Sequence, residues 1–277
     1  MITGYSNIIS VTTLGLLLDL YPSAAAAYSL RKLRSAYTGS AIRVRRSSDN
    51  AEQDIGFSSG NLDTTALTNF CGSGNGFVTT WYDQSGNSRN VIQTNAANQP
   101  QIVSSGSILN INSKPSIKFQ DSSDLLQCSS ASGTSNLNTM AVVSKFNKTN
   151  SFGVIMSIGE TSGPSFCLLS WGATPYQRGV YSTVQQSFDG IYTQNQEIWG
   201  STTALLNAKL WVNGASQTIT NSTGVYTANL NSILIGNDSS GSTAFPNIQE
   251  CIYWATTQSD TDLVAINTNQ NSYYNVY

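Results

Sequence analysis

The sequence of 277 residues contains no histidine. A histidine-based catalytic triad, an imidazole proton shuttle and a histidine-ligated zinc are therefore excluded. Charge is scarce: 13 basic and 15 acidic side chains make up 10% of the chain, against roughly 25% in an average globular protein. A net charge of −2 argues against a nucleic-acid binder that works by neutralising phosphates. No apolar run reaches about 18 residues, the length that would span a bilayer. Cysteine is sparse, with Cys71, Cys128, Cys167 and Cys251 far apart and no C-x-x-C pair. That spacing suits neither a metal site nor dithiol redox chemistry. The cysteines read as small buried hydrophobes, and no cofactor or metal is expected.

The stretch from Ile8 to Leu20 is apolar, but no Lys or Arg precedes it and Asp19 interrupts it. It lacks the charged start of a secretory signal, so synthesis and retention in a reducing cytoplasm are expected. The aliphatic residues Ile8, Ile9, Leu16, Leu17 and Leu18 would be costly to leave in water. They mark residues 1–20 as an arm for attachment or oligomerisation, ahead of one domain over residues 21–277.

What is abundant is small and polar. Ser (41), Thr (28), Asn (27) and Gly (22) account for 118 residues, and 27 aromatics remain to build a core. Short β-branched and aromatic runs recur between Gly, Asn and Ser turns. Examples are Ala41 to Arg45, Gly76 to Tyr82, Thr139 to Phe146, Phe152 to Ile158, Ser165 to Trp171, Ala208 to Val212, Ser232 to Ile235 and Ile248 to Trp254. Many short strands without alternating helices predict an all-β sandwich or barrel. Ala24 to Leu33 has high helix propensity and predicts a short N-terminal helix. Leu263, Ile266 and Tyr273-Tyr274 suggest a terminal helix over Asp260 to Tyr274.

One string is distinctive: Phe70-Cys71, then Gly76-Phe77-Val78-Thr79-Thr80-Trp81-Tyr82-Asp83-Gln84-Ser85-Gly86-Asn87, with Ala27-Tyr28-Ser29-Leu30-Arg31 upstream. It resembles the catalytic domain of fungal-type α-L-arabinofuranosidase B. Lys209 to Gly214, Leu234 to Asn237 and Phe245 to Trp254 look like the laminin-G, concanavalin A-like jelly roll. The two resemblances agree, because the arabinofuranosidase domain is itself such a jelly roll. They imply an antiparallel β-sandwich with short terminal helices.

Retaining glycosidases of this kind use two carboxyl groups. The resemblance puts Asp238, after Leu234-Ile235-Gly236-Asn237, at the place of the family's acid/base aspartate. It puts Cys167 where the family has its nucleophilic glutamate, with Glu160 the nearest spare carboxylate. An enzyme would therefore rest on Asp238 and Glu160. The family's disulfide partner near Gly76 and its vicinal cysteine pair have no counterparts. The resemblance extends to jelly rolls on tailed-phage virions, in capsid decorations, head fibres and tail fibres. The expectation is thus a non-enzymatic virion protein, made in the host cytoplasm and assembled with other virion proteins as a homo-oligomer, a trimer. Neither nucleic acid nor a membrane is an expected partner. The alternative is a secreted arabinofuranosidase or related glycoside hydrolase.

Glycan contacts are expected from Asp83, Gln84, Asn87, Trp199 and Asp238. Amides and carboxylates satisfy sugar hydroxyls, and Trp199 follows the polar string Gln194 to Glu197, which reads as an exposed loop. Asp83 has a second reading, an Asx turn that holds its own loop. Glu250 reads as a structural partner. The basic cluster from Arg31 to Arg46 reads as a solvated face, with an intersubunit or capsid-surface contact as the alternative, and Asp49, Glu52 and Asp54 follow as available partners. Asp121 and Asp124 have too few acidic neighbours to make a calcium site.

Overall fold

A computed structural model describes residues 15–129, 134–135, 137–147, 153–159, 166–171, 177–181, 185–188, 195–204, 207–218, 228–229, 232–237 and 245–277. The helix α1 (Leu17–Leu20) leads into β1 (Ala26–Ser29), β2 (Ile42–Arg46) and β3 (Glu52–Ile55). Helix α2 (Thr64–Cys71) precedes β4 (Gly76–Trp81), β5 (Val91–Ile92), β6 (Gln101–Ser104), β7 (Ile117–Lys118) and β8 (Leu126–Cys128). The long β9 (Leu137–Phe146) is followed by β10 (Gly153–Ile158), β11 (Phe166–Trp171), β12 (Gln177–Tyr181) and β13 (Gln185–Phe188). The chain closes with β14 (Glu197–Ala204), β15 (Asn207–Val212), β16 (Ile233–Ile235), β17 (Pro246–Trp254) and α3 (Asp260–Tyr274). Two-residue ladders fill several turns.

All the pairings are antiparallel, and they form two layers. The first runs β13-β12-β11-β10-β16-β8-β5-β4-β2-β3. The second runs β15-β14-β9-β17. The far edge of β17 pairs with β1 and then β7, β7 pairs with β6, and β6 pairs with β4 to join the layers. Alternation aims one set of side chains inward from each layer. Ile42, Val44, Val78, Trp81, Leu126 and Ile155 of the first layer meet Tyr28, Met140, Val142, Phe146, Trp199, Leu210 and Tyr253 of the second in one core. The all-β jelly-roll expectation is met.

The outer face of the second layer is covered. Ala27, Ala141, Ile252 and Trp254 point away from the sandwich and pack on Leu17, Leu18, Leu33 and Ile266. Val143 and Ile198 pack on Tyr274. Helix α3 starts where Ser259 caps the Asp262 N–H at 3.1 Å and ends at Asn275 in the left-handed region, φ 52°. This terminal helix lies where it was expected.

Two expectations are corrected. Ala24 to Leu33 is not a helix: Ala26–Ser29 is strand β1, with all four residues buried. Its small alanines fit between the sandwich core and the α1 layer, and that burial outweighs a helix propensity of at most about 0.7 kcal/mol per residue. Leu17 and Leu18 are not free for attachment. Both are buried on the domain's own second layer, and the Leu18 N–H donates to the Leu33 carbonyl at 2.8 Å. Leu16 is half-buried beside them. Ile8 and Ile9 lie outside the described residues. Helix α2, capped by Asp63 accepting from the Ala66 N–H at 2.9 Å, adds to the expected elements.

Candidate functional site

The loop after β4 is built around one carboxylate. Asp83 Oδ1 accepts from the Ala27 N–H and the Ser85 N–H, both at 2.9 Å. Its Oδ2 accepts from Ser85 Oγ at 2.7 Å and the Arg89 N–H at 3.0 Å. The next side chain completes the clamp. Gln84 Oε1 accepts from the Leu33 N–H at 2.8 Å, and its Nε2 donates to the Ser29 and Arg31 carbonyls at 3.0 Å. Asn87 Nδ2 donates to the carbonyls of Ala24 (3.0 Å) and Ala25 (3.1 Å). A strand edge carries unpaired backbone groups that must find partners. Here the loop supplies them to β1 and its flanks.

Asp83 and Gln84 are thus buried, and their polar atoms are spent on the backbone and on the Ser85 hydroxyl, so neither is placed to meet a glycan. The Asx-turn reading of Asp83 is the one the geometry supports. Asn87 is exposed and lines a polar cavity of about 970 Å³ with Arg34, Ser35, Ser85, Arg89 and Asp19. Arg34 lies against this loop, donating to the Ser85 carbonyl at 2.7 Å. A Cβ on Gly86 would meet its Nη1 at 2.6 Å, and φ there is +95°, so the turn needs glycine.

Trp199 is corrected as well. It is 1% exposed, its ring centroid lies 6.0 Å from that of Phe146, and its Nε1 donates to Glu197 Oε2 at 2.8 Å. The polar string before it ends where β14 begins. Residues 197 and 199 then share the inward face, as strand alternation requires. Glu197 is therefore a buried carboxylate inside the sandwich, which its polar neighbours did not signal.

Glu250 is the structural partner expected of it. Its carboxylate takes Arg31 Nε at 2.8 Å and Nη2 at 3.0 Å in a two-pronged ion pair. Ser29 Oγ donates at 2.8 Å, and Tyr274 Oη and Gln270 Nε2 complete the shell at 3.2 Å. Arg31 also sits over the rings of Tyr273 and Tyr274, at 5.0 Å and 5.5 Å from their centroids. One ion pair thus fastens the N-terminal segment, the closing strand and α3. Two further arginines are paired near the surface: Arg43 with Glu52 and Asp54, and Arg46 with Asp49. Cys71, Cys128 and Cys251 are buried, and burial pushes the Cys251 thiol well above its ordinary range.

Asp238 and Glu160 lie outside the described residues, but the strands that lead to them are placed. In the first layer, Cys167 of β11 stands opposite Ser157 of β10, and Ser157 stands opposite Leu234 of β16. Strand β16 ends three residues before Asp238. The approach is held firmly. A Cβ on Gly236 (φ +89°) would lie 2.1 Å from Phe119 Cδ1, and Asn237 Nδ2 donates to the Ser122 carbonyl. Asp124 anchors that neighbouring turn, accepting from the Gln120 N–H at 2.6 Å, and burial lifts its carboxyl to about 6. The topology therefore puts the strand of Cys167 and the strand leading to Asp238 on one sheet with a single strand between them. Among the described residues no cluster of three potential metal ligands occurs, and no helix is long and apolar enough to cross a membrane.

These features meet known proteins at one fold. A GH54 α-L-arabinofuranosidase soaked with a cyclic sulfate inhibitor superposes with a TM-score of 0.70 at 14% identity, over 89% of this chain and 62% of that one. A glutamate-to-glutamine variant soaked with 4-nitrophenyl α-L-arabinofuranoside gives 0.70 at 15% identity, with the same coverage. A Trypanosoma rangeli sialidase gives 0.51 at 10% identity, over 70% of this chain and 31% of that one. At such identities the likeness is one of fold, and the chain spans about 62% of the arabinofuranosidases' length. Among curated protein sequences none matches. The model of the α-L-arabinofuranosidase B catalytic domain matches residues 19–215. By that match, which covers more than half of its length, the chain belongs to the α-L-arabinofuranosidase B catalytic-domain family.

Proposed function

We propose that this chain is a glycan-binding member of the arabinofuranosidase family that recognises a furanosyl-bearing saccharide without cleaving it. The observation that carries this reading is Cys167, which stands on β11 at the place where the family resemblance puts the nucleophilic glutamate. Retaining hydrolysis needs two carboxyl groups about 5–5.5 Å apart. A thiol at one of those places removes the pair, and a shared scaffold does not restore it. The buried carboxylates of the described residues do not supply a substitute: Asp83, Asp124, Glu197 and Glu250 each hold a structural partner.

Hydrolysis is the second reading, and the family match over residues 19–215 favours it. The comparisons lend more support to a glycoside hydrolase than to a virion part. The test is turnover of 4-nitrophenyl α-L-arabinofuranoside. The proposal expects release no faster than in buffer. Turnover by the wild type that disappears in Asp238→Asn overturns it in favour of the hydrolase.

Carriage on a virion as a trimer is the finer part of the proposal. It rests on the resemblance to phage jelly rolls, the low-charge Ser/Thr/Asn composition and the cysteines that suit reducing conditions. Finding the chain among the proteins of purified particles supports it, and finding it free of them sinks it.

A further inference from the structure

The polar cavity beside the loop from Asp83 to Asn87, about 970 Å³ in volume, opens where β1 begins and β17 ends. None of its described lining residues belongs to β10, β11 or β16, so it shares nothing with the strand of Cys167 or the strand that leads to Asp238. Two arginines line it, and the clamp around Asp83 and Gln84 sets the backbone of both. The Leu33 N–H, one residue before Arg34, donates to Gln84 Oε1 at 2.8 Å. The Arg89 N–H donates to Asp83 Oδ2 at 3.0 Å. Each guanidinium is then steered by one bond to a carbonyl. Arg34 Nη1 donates to Ser85 at 2.7 Å, and Arg89 Nη1 donates to Ala25 at 2.9 Å. One carbonyl leaves most of the N–H fork of each guanidinium unspent.

The other arginines with described side chains are not left so. Arg31, Arg43 and Arg46 hold carboxylates, and Arg45 gives Nε, Nη1 and Nη2 to Gln99, Asn50 and Ala96. No ion pair among the described residues includes Arg34 or Arg89. The one carboxylate that lines the cavity, Asp19, turns both oxygens to the Ser35 N–H at 3.1 Å. Asp83 is buried behind the loop, and its oxygens are taken by Ala27, Ser85 and Arg89 N–H groups and the Ser85 hydroxyl. Two unpaired guanidiniums against one spent carboxylate give the cavity a positive excess. Both are half-buried, where charge is screened less than on an open surface. Arginine forks match the paired oxygens of a carboxylate or a phosphate. Leu18, Pro22, Ala24 and Ala255 add an apolar wall, and the volume is that of a pocket for a small organic molecule.

We propose that this cavity binds a small organic oxyanion, with its carboxylate or phosphate held by Arg34 and Arg89 and its body along the apolar wall. The proposal is independent of the glycan reading, because a neutral sugar carries no charge for two arginines to meet.

Three probes with one ring test it: benzoate, phenyl phosphate and the neutral benzamide. Each is titrated calorimetrically into the wild-type protein at a fixed ionic strength of about 0.1 M, so that general screening is the same throughout. Saturable binding at one site per chain is expected for benzoate or phenyl phosphate and not for benzamide, and the tighter of the two anions names the head group. Arg34→Gln and Arg89→Gln should each weaken that binding by about tenfold or more, as expected for lost charge-assisted hydrogen bonds. Both arginines also brace the loop, so a third variant, Ser23→Asp, leaves them in place and adds a carboxylate to the lining. Ser23 is exposed, and its φ of 64° lies in the left-handed region that aspartate tolerates. This variant should keep the melting midpoint of the wild type and lose anion affinity severalfold. Failure of the wild type to bind either anion overturns the proposal. Equal affinity for benzamide overturns it too, as does anion affinity unchanged in all three variants.

Discussion

Glu250→Ala is expected to lower the unfolding free energy by about 3–5 kcal/mol, the usual cost of stripping one partner from a buried ion pair. The variant leaves the buried Arg31 with no carboxylate beside its guanidinium. It also removes the acceptor for Ser29, Tyr274 and Gln270. Urea unfolding should show the midpoint falling with an unchanged slope, the sign of lost stability rather than an altered denatured state. The double variant Arg31→Met, Glu250→Leu should recover much of the loss, because replacing a buried pair by apolar groups is often neutral. A single-variant change below about 1 kcal/mol would match a surface pair and would remove the ion pair from its place as the fastener of α3.

Trp199→Ala should be comparably damaging, costing about 3–5 kcal/mol as a large aromatic leaves a closed core. It also leaves Glu197 without its indole donor at 2.8 Å. Trp199→Phe keeps most of the packing against Phe146 and should be milder. The informative comparison is between stability and sugar binding. A core tryptophan predicts a large stability loss in the alanine variant and unchanged glycan affinity in Trp199→Phe. A stacking platform predicts the reverse, an intact fold with lost affinity, and that result would reinstate Trp199 as a ligand contact.

The parts of the fold legible in the sequence are those whose pattern and packing agree. Strand β2 alternates Ile42 and Val44 inward against Arg43 and Arg45 outward. Helix α3 pairs a serine cap with Leu263 and Ile266 on its buried side. The parts misread are those where a distant partner decides. Ala24 to Leu33 has the composition of a helix, yet its backbone is claimed by β17 on one side and by Asp83 and Gln84 on the other. No local signal announces a carboxylate 56 residues away. The polar residues before Trp199 suggested a loop because the burial of Glu197 depends on the indole two positions on. In the candidate site, the string from Asp83 to Asn87 pointed to the right family for a reason unrelated to sugar. Its residues hold β1 in place, so a clamp for the backbone was read as a ligand contact.

The central claim is recognition without cleavage. Its most direct test is a calorimetric titration of the wild-type protein with an arabinofuranosyl-branched xylo-oligosaccharide, followed by chromatography of the sugar recovered from the cell. The account predicts saturable binding heat and an oligosaccharide recovered intact. Free arabinose in the recovered sugar, formed in proportion to protein and time, would contradict it.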